Sequence, residues 1–135
     1  MKRSLRALVR ARAGRRCEYC RLHESDLPLL PFHIEHIPPK KHGGTDNPKT
    51  LAWSCQHCNL AKSSNLSGRD TKTQRIVLLF NPHRQRWKRH FEWDGPWLVG
   101  LTPCGRATIA VLNINAAHRV ELRELLIETG LFPPE

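Results

Sequence analysis

Two Cys-x-x-Cys pairs constrain the fold of this chain more than any other feature of its sequence. Cys17 and Cys20 form the first pair, and Cys55 and Cys58 form the second. Each spacing lets two thiolates of one turn reach a single ion, and two such turns complete the tetrahedral four-sulfur shell that zinc prefers. We therefore expect one structural Zn²⁺, and a fold that brings the two pairs together.

Other uses of the cysteines fit the sequence less well. A disulfide framework favours an even number of dispersed cysteines, whereas this chain has five, four of them in tight pairs. A redox Cys-x-x-Cys favours a thioredoxin-like βαβ pattern, which surrounds neither pair. Cys104 lies apart in a Thr-Pro-Cys-Gly segment and is expected to be a small packing residue.

Length and charge narrow the class of protein. At 135 residues the chain can bury one modest core. Its formal net charge of +10 indicates a polyanionic partner, for which nucleic acid is the leading candidate, although a ribosomal or membrane-surface protein shares such a charge. No run approaches the ~20 apolar residues of a membrane span, so we expect no membrane insertion and a cytoplasmic protein.

The N-terminal segment, residues 1–16, is rich in Lys and Arg and contains no acid. Leu5, Leu8 and Val9 follow helical spacing and Gly14 is a typical stop, which predicts a basic helix. A mitochondrial transit peptide has a similar composition, but its cleavage would fall beside Cys17.

The 34 residues between the cysteine pairs predict a β-hairpin. Leu29 to Ile37 is largely apolar, and Pro38-Pro39 ends this first strand before a basic loop. Thr50 to Ser54 forms the return strand and leads into Cys55, and a short helix follows Cys58. Asn59 and Lys62 share a face of that helix because they are three positions apart.

These motifs together resemble the HNH endonuclease family, whose members share the ββα-metal (His-Me finger) fold. The resemblance covers about residues 17–66 and includes the following elements: Cys17-Glu18-Tyr19-Cys20, Glu35-His36, Gly43-Gly44, Thr50-Leu51 and Cys55-Gln56-His57-Cys58-Asn59-Leu60-Ala61-Lys62. It implies an α+β fold in which a four-cysteine zinc site stabilises the HNH core. The implied domains are a basic N-terminal helix (1–16), the nuclease core (17–66) and an extension packed on it (67–135).

The resemblance also implies roles for single residues. His36 is expected to be the general base, while Glu35 and Asn59 supply oxygen ligands suited to a catalytic Mg²⁺ or Mn²⁺. His33 is either a third ligand of this ion or a packing residue. Thr50 stands where the family has the Asn that helps to orient the histidine, and nearby Asn47 is a candidate substitute. Nucleic-acid contacts are expected from three lysines, which are alternatively solvated surface charges: Lys40, Lys41 and Lys62.

The remaining sequence predicts an additional layer of strands and helices. Ile76 to Phe80 is expected to be a buried strand. The aromatic residues between Trp87 and Trp93 alternate with cations, which is typical either of a core strand or of a surface that stacks on bases. One helix is predicted to start at Thr102-Pro103. A second is predicted over Asn115 to Thr129, with an apolar face of Val120, Leu122, Leu125 and Leu126.

Taken together, the sequence predicts a metal-dependent endonuclease acting on DNA, with a duplex as the expected substrate. The alternative is a zinc-dependent nucleic-acid-binding module without cleavage activity, and a third interpretation is an RNA-binding zinc ribbon. Both a monomer and a homodimer are compatible with the sequence.

Overall fold

The computed structural model describes residues 2–134, and this part of the chain contains five α-helices and six short strands. The helices are α1 (Arg3–Arg12), α2 (Gln56–Lys62), α3 (Trp87–His90), α4 (Pro103–Leu112) and α5 (Ala117–Glu128). The strands are β1 (Phe32–His36), β2 (Leu51–Cys55), β3 (Ser67–Arg69), β4 (Ile76–Leu78), β5 (Phe91–Asp94) and β6 (Trp97–Gly100). Consecutive strands pair into three antiparallel hairpins, which confirms the predicted α+β class. None of the described helices is long and apolar enough to cross a lipid bilayer.

The chain divides into two compact units. One unit contains the chain up to Leu66 together with Asn81–Arg84, and the other contains Ser67–Phe80 and the chain from Gln85 onward. The three-segment domain organisation expected from the sequence stays a prediction, because compactness does not test which segments fold independently.

In the first unit, α1 packs against β2 through a narrow apolar stripe and several arginines. Val9 is fully buried, whereas Leu8 is about half exposed. The Arg6 guanidinium donates to the Phe32 carbonyl oxygen at 2.9 Å and lies over the Trp53 ring. Arg12 donates to the Leu51 carbonyl oxygen at 2.8 Å. The basic helix therefore uses part of its charge to hold the hairpin.

The β1–β2 hairpin has the strand order that the sequence predicts, and its register places Glu35 opposite Ala52 and His36 opposite Leu51. Its first strand is shorter than predicted, since it starts at Phe32 and Leu29 is almost fully exposed. The connecting loop needs its glycines. A Cβ on Gly44 would collide with the Pro38 carbonyl oxygen, because the loop folds back onto its own start.

In the second unit, the β3–β4 hairpin packs against α4, and β5–β6 forms a separate hairpin. The prediction of a buried strand at Ile76 to Phe80 is wrong in part. Only Leu79 and Phe80 are buried, while Ile76 and Leu78 are exposed on β4. The predicted start of α4 is confirmed, because the Thr102 hydroxyl accepts from the Gly105 amide and Pro103 occupies the first turn.

The buried face of helix α5 differs in part from the predicted one. Val120 and Leu126 are buried as expected, but Leu125 is 60% exposed. Arg123 is buried instead, since its guanidinium donates to the carbonyl oxygens of Pro96 at 2.6 Å and Ile114 at 3.0 Å. The Arg123 side chain can be buried because these backbone carbonyl oxygens accept its hydrogen bonds.

Candidate metal centre and active site

The four paired cysteines form one buried cluster. The Sγ atoms of Cys17, Cys20, Cys55 and Cys58 all lie within 4.8 Å of one another. The Cys17-to-Cys20 turn supplies two of them, the end of β2 supplies Cys55 and the first turn of α2 supplies Cys58. The Cys58 amide donates to Cys55 Sγ at 3.4 Å, so the helix start is tied to the cluster. The fold thus assembles the shell that the spacing predicts.

The electrostatics of the cluster fit a bound dication. Burial raises the pKa of the Cys17 thiol, but hydrogen bonds from the neighbouring thiols outweigh it and hold that pKa well below its usual value. The same bonding, with Cys17 as the main partner, raises the pKa values of Cys20 and Cys58 well above their usual range. A divalent cation would let all four thiols ionise together. The buried four-cysteine cluster is thus consistent with a structural zinc.

Glu35 lies inside the first unit and accepts a hydrogen bond on each carboxylate oxygen. Its side chain is 3% exposed, with Lys62 Nζ at 2.6 Å from Oε1 and the Tyr19 hydroxyl at 2.7 Å from Oε2. Lys62 also donates to the Ile37 carbonyl oxygen at 3.1 Å. Burial raises the pKa of the Glu35 carboxyl, and the Lys62 ammonium opposes this rise. Lys62 is therefore buried, and its predicted contact with a phosphate would require the ammonium to leave Glu35.

His36 lies in different surroundings from Glu35, as expected for neighbours on a strand. Its side chain is partly exposed, and Nε2 lies 2.8 Å from Asp46 Oδ1. Lys40 Nζ lies 3.9 Å from the same oxygen. The bond to His36 and the Lys40 charge hold the pKa of the Asp46 carboxyl below its usual value. The sequence analysis missed Asp46, although it is the only acid in the loop between the strands.

Thr50 and Asn47 stabilise this loop and make no hydrogen bond to His36. The Thr50 hydroxyl donates to the Asn47 carbonyl oxygen at 2.9 Å, and Asn47 Oδ1 accepts from the Lys49 amide at 2.9 Å. These bonds close the turn that follows Asp46. The contact with the imidazole thus comes from Asp46, rather than from Asn47 as the sequence analysis suggested.

The other residues expected to bind the catalytic ion or nucleic acid are partly or fully exposed to solvent. Asn59 is partly exposed on α2, and its side chain makes no hydrogen bond to any residue between 2 and 134. His33 is partly exposed on β1, two positions before Glu35 and therefore on the same face of the strand. Among the described residues, the four cysteines are the one group of three or more His, Cys, Asp or Glu residues whose ligand atoms lie this close together. Lys40 and Lys41 are exposed in the loop.

A second polar cluster, also missed by the sequence analysis, lies on the other side of β2. Glu18 Oε2 accepts from the Trp53 amide at 2.7 Å, and burial raises the pKa of the Glu18 carboxyl. His83 Nε2 lies 2.6 Å from the Leu51 carbonyl oxygen, to which Arg12 also donates. This contact fastens the segment Asn81–Arg84 to the first unit.

Comparison with known proteins finds a family similarity in this part of the chain. Residues 17–65 match the family model described as HNH endonuclease. Searches of curated proteins and of solved structures gave no significant match. The matched residues contain both cysteine pairs, the β1–β2 hairpin, the His36–Asp46 contact and α2. Residues 17–65 are therefore similar to an HNH endonuclease domain, and the buried four-cysteine cluster is consistent with the zinc-containing type of that family.

Proposed function

We propose that this chain is a metal-dependent HNH endonuclease that hydrolyses DNA phosphodiester bonds. In this proposal His36 is the general base, and Glu35 and Asn59 hold a divalent ion such as Mg²⁺ or Mn²⁺. The observation that carries the proposal is the His36–Asp46 contact of 2.8 Å at the partly exposed end of β1, inside the matched family segment. An imidazole oriented by a carboxylate is the usual arrangement of a general base near neutral pH.

The partner of Nε2 determines which nitrogen of His36 would accept the proton. The ionised Asp46 carboxylate only accepts hydrogen bonds, so Nε2 carries the hydrogen in this contact. In the neutral imidazole the lone pair is then on Nδ1. We assign to Nδ1 the removal of a proton from the attacking water.

The donor set suits a hard divalent ion, because Glu35 offers a carboxylate oxygen and Asn59 an amide oxygen. When bound, such an ion would neutralise charge on the phosphate and stabilise the departing oxygen. Glu35 Oε1 and the Ile37 carbonyl oxygen already hold a cation, the Lys62 ammonium. An ion held there would take the place of the Lys62 ammonium, with His33 as a third ligand, and Lys62 would then be available to contact a phosphate together with Lys40 and Lys41.

A nicking assay tests the proposal. Purified protein should nick supercoiled plasmid with Mg²⁺ or Mn²⁺, and His36→Ala should lower the rate by about 10²-fold or more, the typical contribution of a general base. His42→Ala is the matched control, since His42 is exposed in the same loop. Equal nicking by the wild type and His36→Ala would contradict the assigned role.

The second candidate function is a zinc-dependent nucleic-acid-binding module without cleavage activity. One observation favours it, namely that both Glu35 oxygens already accept strong hydrogen bonds. This candidate predicts salt-sensitive DNA binding without metal-dependent nicking.

Mn²⁺ binding separates the two functions without relying on activity. If Asn59 is a ligand, Asn59→Ala should weaken Mn²⁺ binding at least about tenfold, as ligand-shell changes commonly do. Gln56→Ala on the same helix is the control and should leave the affinity unchanged. Equal affinities in wild type, Asn59→Ala and Gln56→Ala would favour the binding module.

A further inference from the structure

The β3–β4 hairpin of the second unit exposes one of its two faces. Gly68 pairs with Val77 on the covered face, where a Cβ on Gly68 would lie 2.5 Å from Val111 Cγ2 of α4. The opposite face carries Arg69 beside Ile76, and Ser67 beside Leu78. Ile76 is 65% exposed and Leu78 is 73% exposed. A two-stranded ribbon thus presents large apolar side chains to solvent while its other face is closely packed.

The turn at the end of this ribbon is held in a defined shape by Asp70. The Asp70 carboxylate is inaccessible and accepts from the amides of Lys72 and Thr73, both at 3.2 Å. Arg106 of α4 donates to both of its oxygens, at 2.7 Å and 3.1 Å. The tip is therefore anchored to the helix beneath it, which lowers the entropy cost of binding a partner there.

All charged side chains exposed on the ribbon are cations. Arg69, Lys72 and Arg75 are exposed, whereas Asp70, the one acid between residues 67 and 78, is buried against Arg106. Three cations surround the exposed side chains of Ile76 and Leu78. This surface is complementary to a polyanion that also presents apolar groups. We infer that the β3–β4 hairpin is a DNA-docking ribbon that enters the major groove of duplex DNA.

The shape of the hairpin selects duplex DNA among polyanions. The major groove of B-form DNA, about 12 Å wide, admits a two-stranded β-ribbon, whereas that of an RNA duplex is too narrow and deep. Arg69, Lys72 and Arg75 would contact phosphates along the groove, while Ile76 and Leu78 would contact thymine methyl groups. This surface lies outside the matched segment 17–65, so it extends the proposed function from the cleavage site to DNA binding by the second unit.

The test compares normal duplex DNA with DNA whose major groove is filled by glucosylated hydroxymethylcytosine. Binding is measured by fluorescence anisotropy on the full chain with His36→Ala, so that cleavage does not interfere and the result is independent of the nuclease proposal. The ribbon variant carries Arg69→Ala, Lys72→Ala and Arg75→Ala. The control carries Arg86→Ala, Lys88→Ala and Arg89→Ala, which removes the same charge from exposed positions of the same unit.

We expect the parent protein and the control to bind the filled duplex at least about tenfold more weakly than the normal one. The ribbon variant should bind both duplexes equally. On normal DNA its slope of log affinity against log salt should be smaller by about 2.7, since each phosphate contact contributes about 0.9.

Three results would overturn the inference. The first is equal binding of both duplexes by the parent protein, and the second is unchanged discrimination by the ribbon variant. The third is an equal loss of affinity by the ribbon variant on duplex RNA and on duplex DNA, because the ribbon would then act only as a general cationic surface. All three substituted side chains are exposed, and circular dichroism of the variants verifies that folding is retained.

Discussion

The carboxylate of Glu35, on β1, accepts a hydrogen bond from Lys62 Nζ on one oxygen and from the Tyr19 hydroxyl on the other. Both side chains of the Glu35–Lys62 pair are almost inaccessible. Burying two charges carries a large desolvation cost, which their attraction and additional hydrogen bonds offset. The pair is therefore sensitive to the loss of either partner, because the remaining charge would stay buried without compensation.

Replacing Lys62 with Met should destabilise the first unit strongly. We expect the free energy of unfolding to fall by about 3–5 kcal/mol, the usual cost of breaking a buried ion pair from one side. Urea denaturation of the zinc-loaded protein measures it. The double variant Glu35→Gln, Lys62→Met is the control and should recover most of the loss, since neither side then carries a charge. A double variant as unstable as the single one would show that Lys62 contributes through packing alone.

Asp46 should affect cleavage more than stability, because it is about half exposed and contacts His36. Asp46→Ala releases the imidazole, and a misplaced base typically costs about 10–100-fold in rate. Asp46→Asn should cost less, since its amide oxygen still accepts from Nε2. The nicking rate measures both, with thermal unfolding as the check on folding. A nicking rate of Asp46→Ala equal to that of the wild type would remove Asp46 from the mechanism.

At the scale of residues, local spacing predicts which side chains form a cluster better than it predicts the hydrogen-bond partners of a single side chain. The cysteine cluster follows from two short spacings and is found as expected. The partners of Glu35 could not be read from the sequence, since Tyr19 and Lys62 lie 16 and 27 positions away and meet it only after folding. Asp46 was open to prediction as the one acid of its loop, but no spacing rule couples it to His36.

At the scale of elements, the order of strands and helices was more predictable than the side that each one buries. Ile76 to Phe80 has the composition of a core strand, yet the two-stranded hairpin is covered only on the Gly68 side. In α5, Arg123 is buried because Pro96 and Ile114 offer carbonyl oxygens. Such acceptors come from other elements, so helical periodicity does not reveal them.

The turn between β3 and β4 should lose stability in acid. Arg106 holds the pKa of Asp70 well below the ordinary value of 3.8, so the ionised carboxylate stabilises the folded state. That contribution is complete above the ordinary value and is lost as the pH falls through the lower pKa of the folded protein. We expect Asp70→Asn to be less stable than the wild type at about pH 6, and the difference to shrink towards about pH 2.

Amide hydrogen exchange of β3 and β4, compared between the wild type and Asp70→Asn across this pH range, measures the effect. Asp94→Asn is the matched control, since Asp94 is exposed on β5 and should leave exchange in β3 and β4 unchanged at every pH. A constant difference between the wild type and Asp70→Asn would mean that the carboxylate does not lose its role by protonation.

At the scale of the whole molecule, the net charge of +10 has two separate uses. Arg6, Arg10 and Arg12 of α1 are bound to protein groups, so they support the fold of the first unit. Other cations remain exposed, among them Lys40 and Lys41 beside the proposed site. Composition predicts the sign of the partner's charge. Only the fold distinguishes the cations that are hydrogen-bonded within the protein from those that are exposed and available to contact phosphates.

Removing zinc should unfold the first unit and leave the second one folded, because all four clustered cysteines belong to the first. Zinc commonly supplies about 10–16 kcal/mol to such sites, more than a small unit retains without it. Trp53 is the one tryptophan of the first unit, so its indole NMR signal should collapse on chelation while those of Trp87, Trp93 and Trp97 persist. Cys55→Ser should behave like the chelated protein, whereas Cys104→Ser should retain about one zinc per chain and all four native signals. A Trp53 signal that survives complete chelation would contradict the structural role of the metal, and simultaneous loss of all four would show that the two units unfold as one.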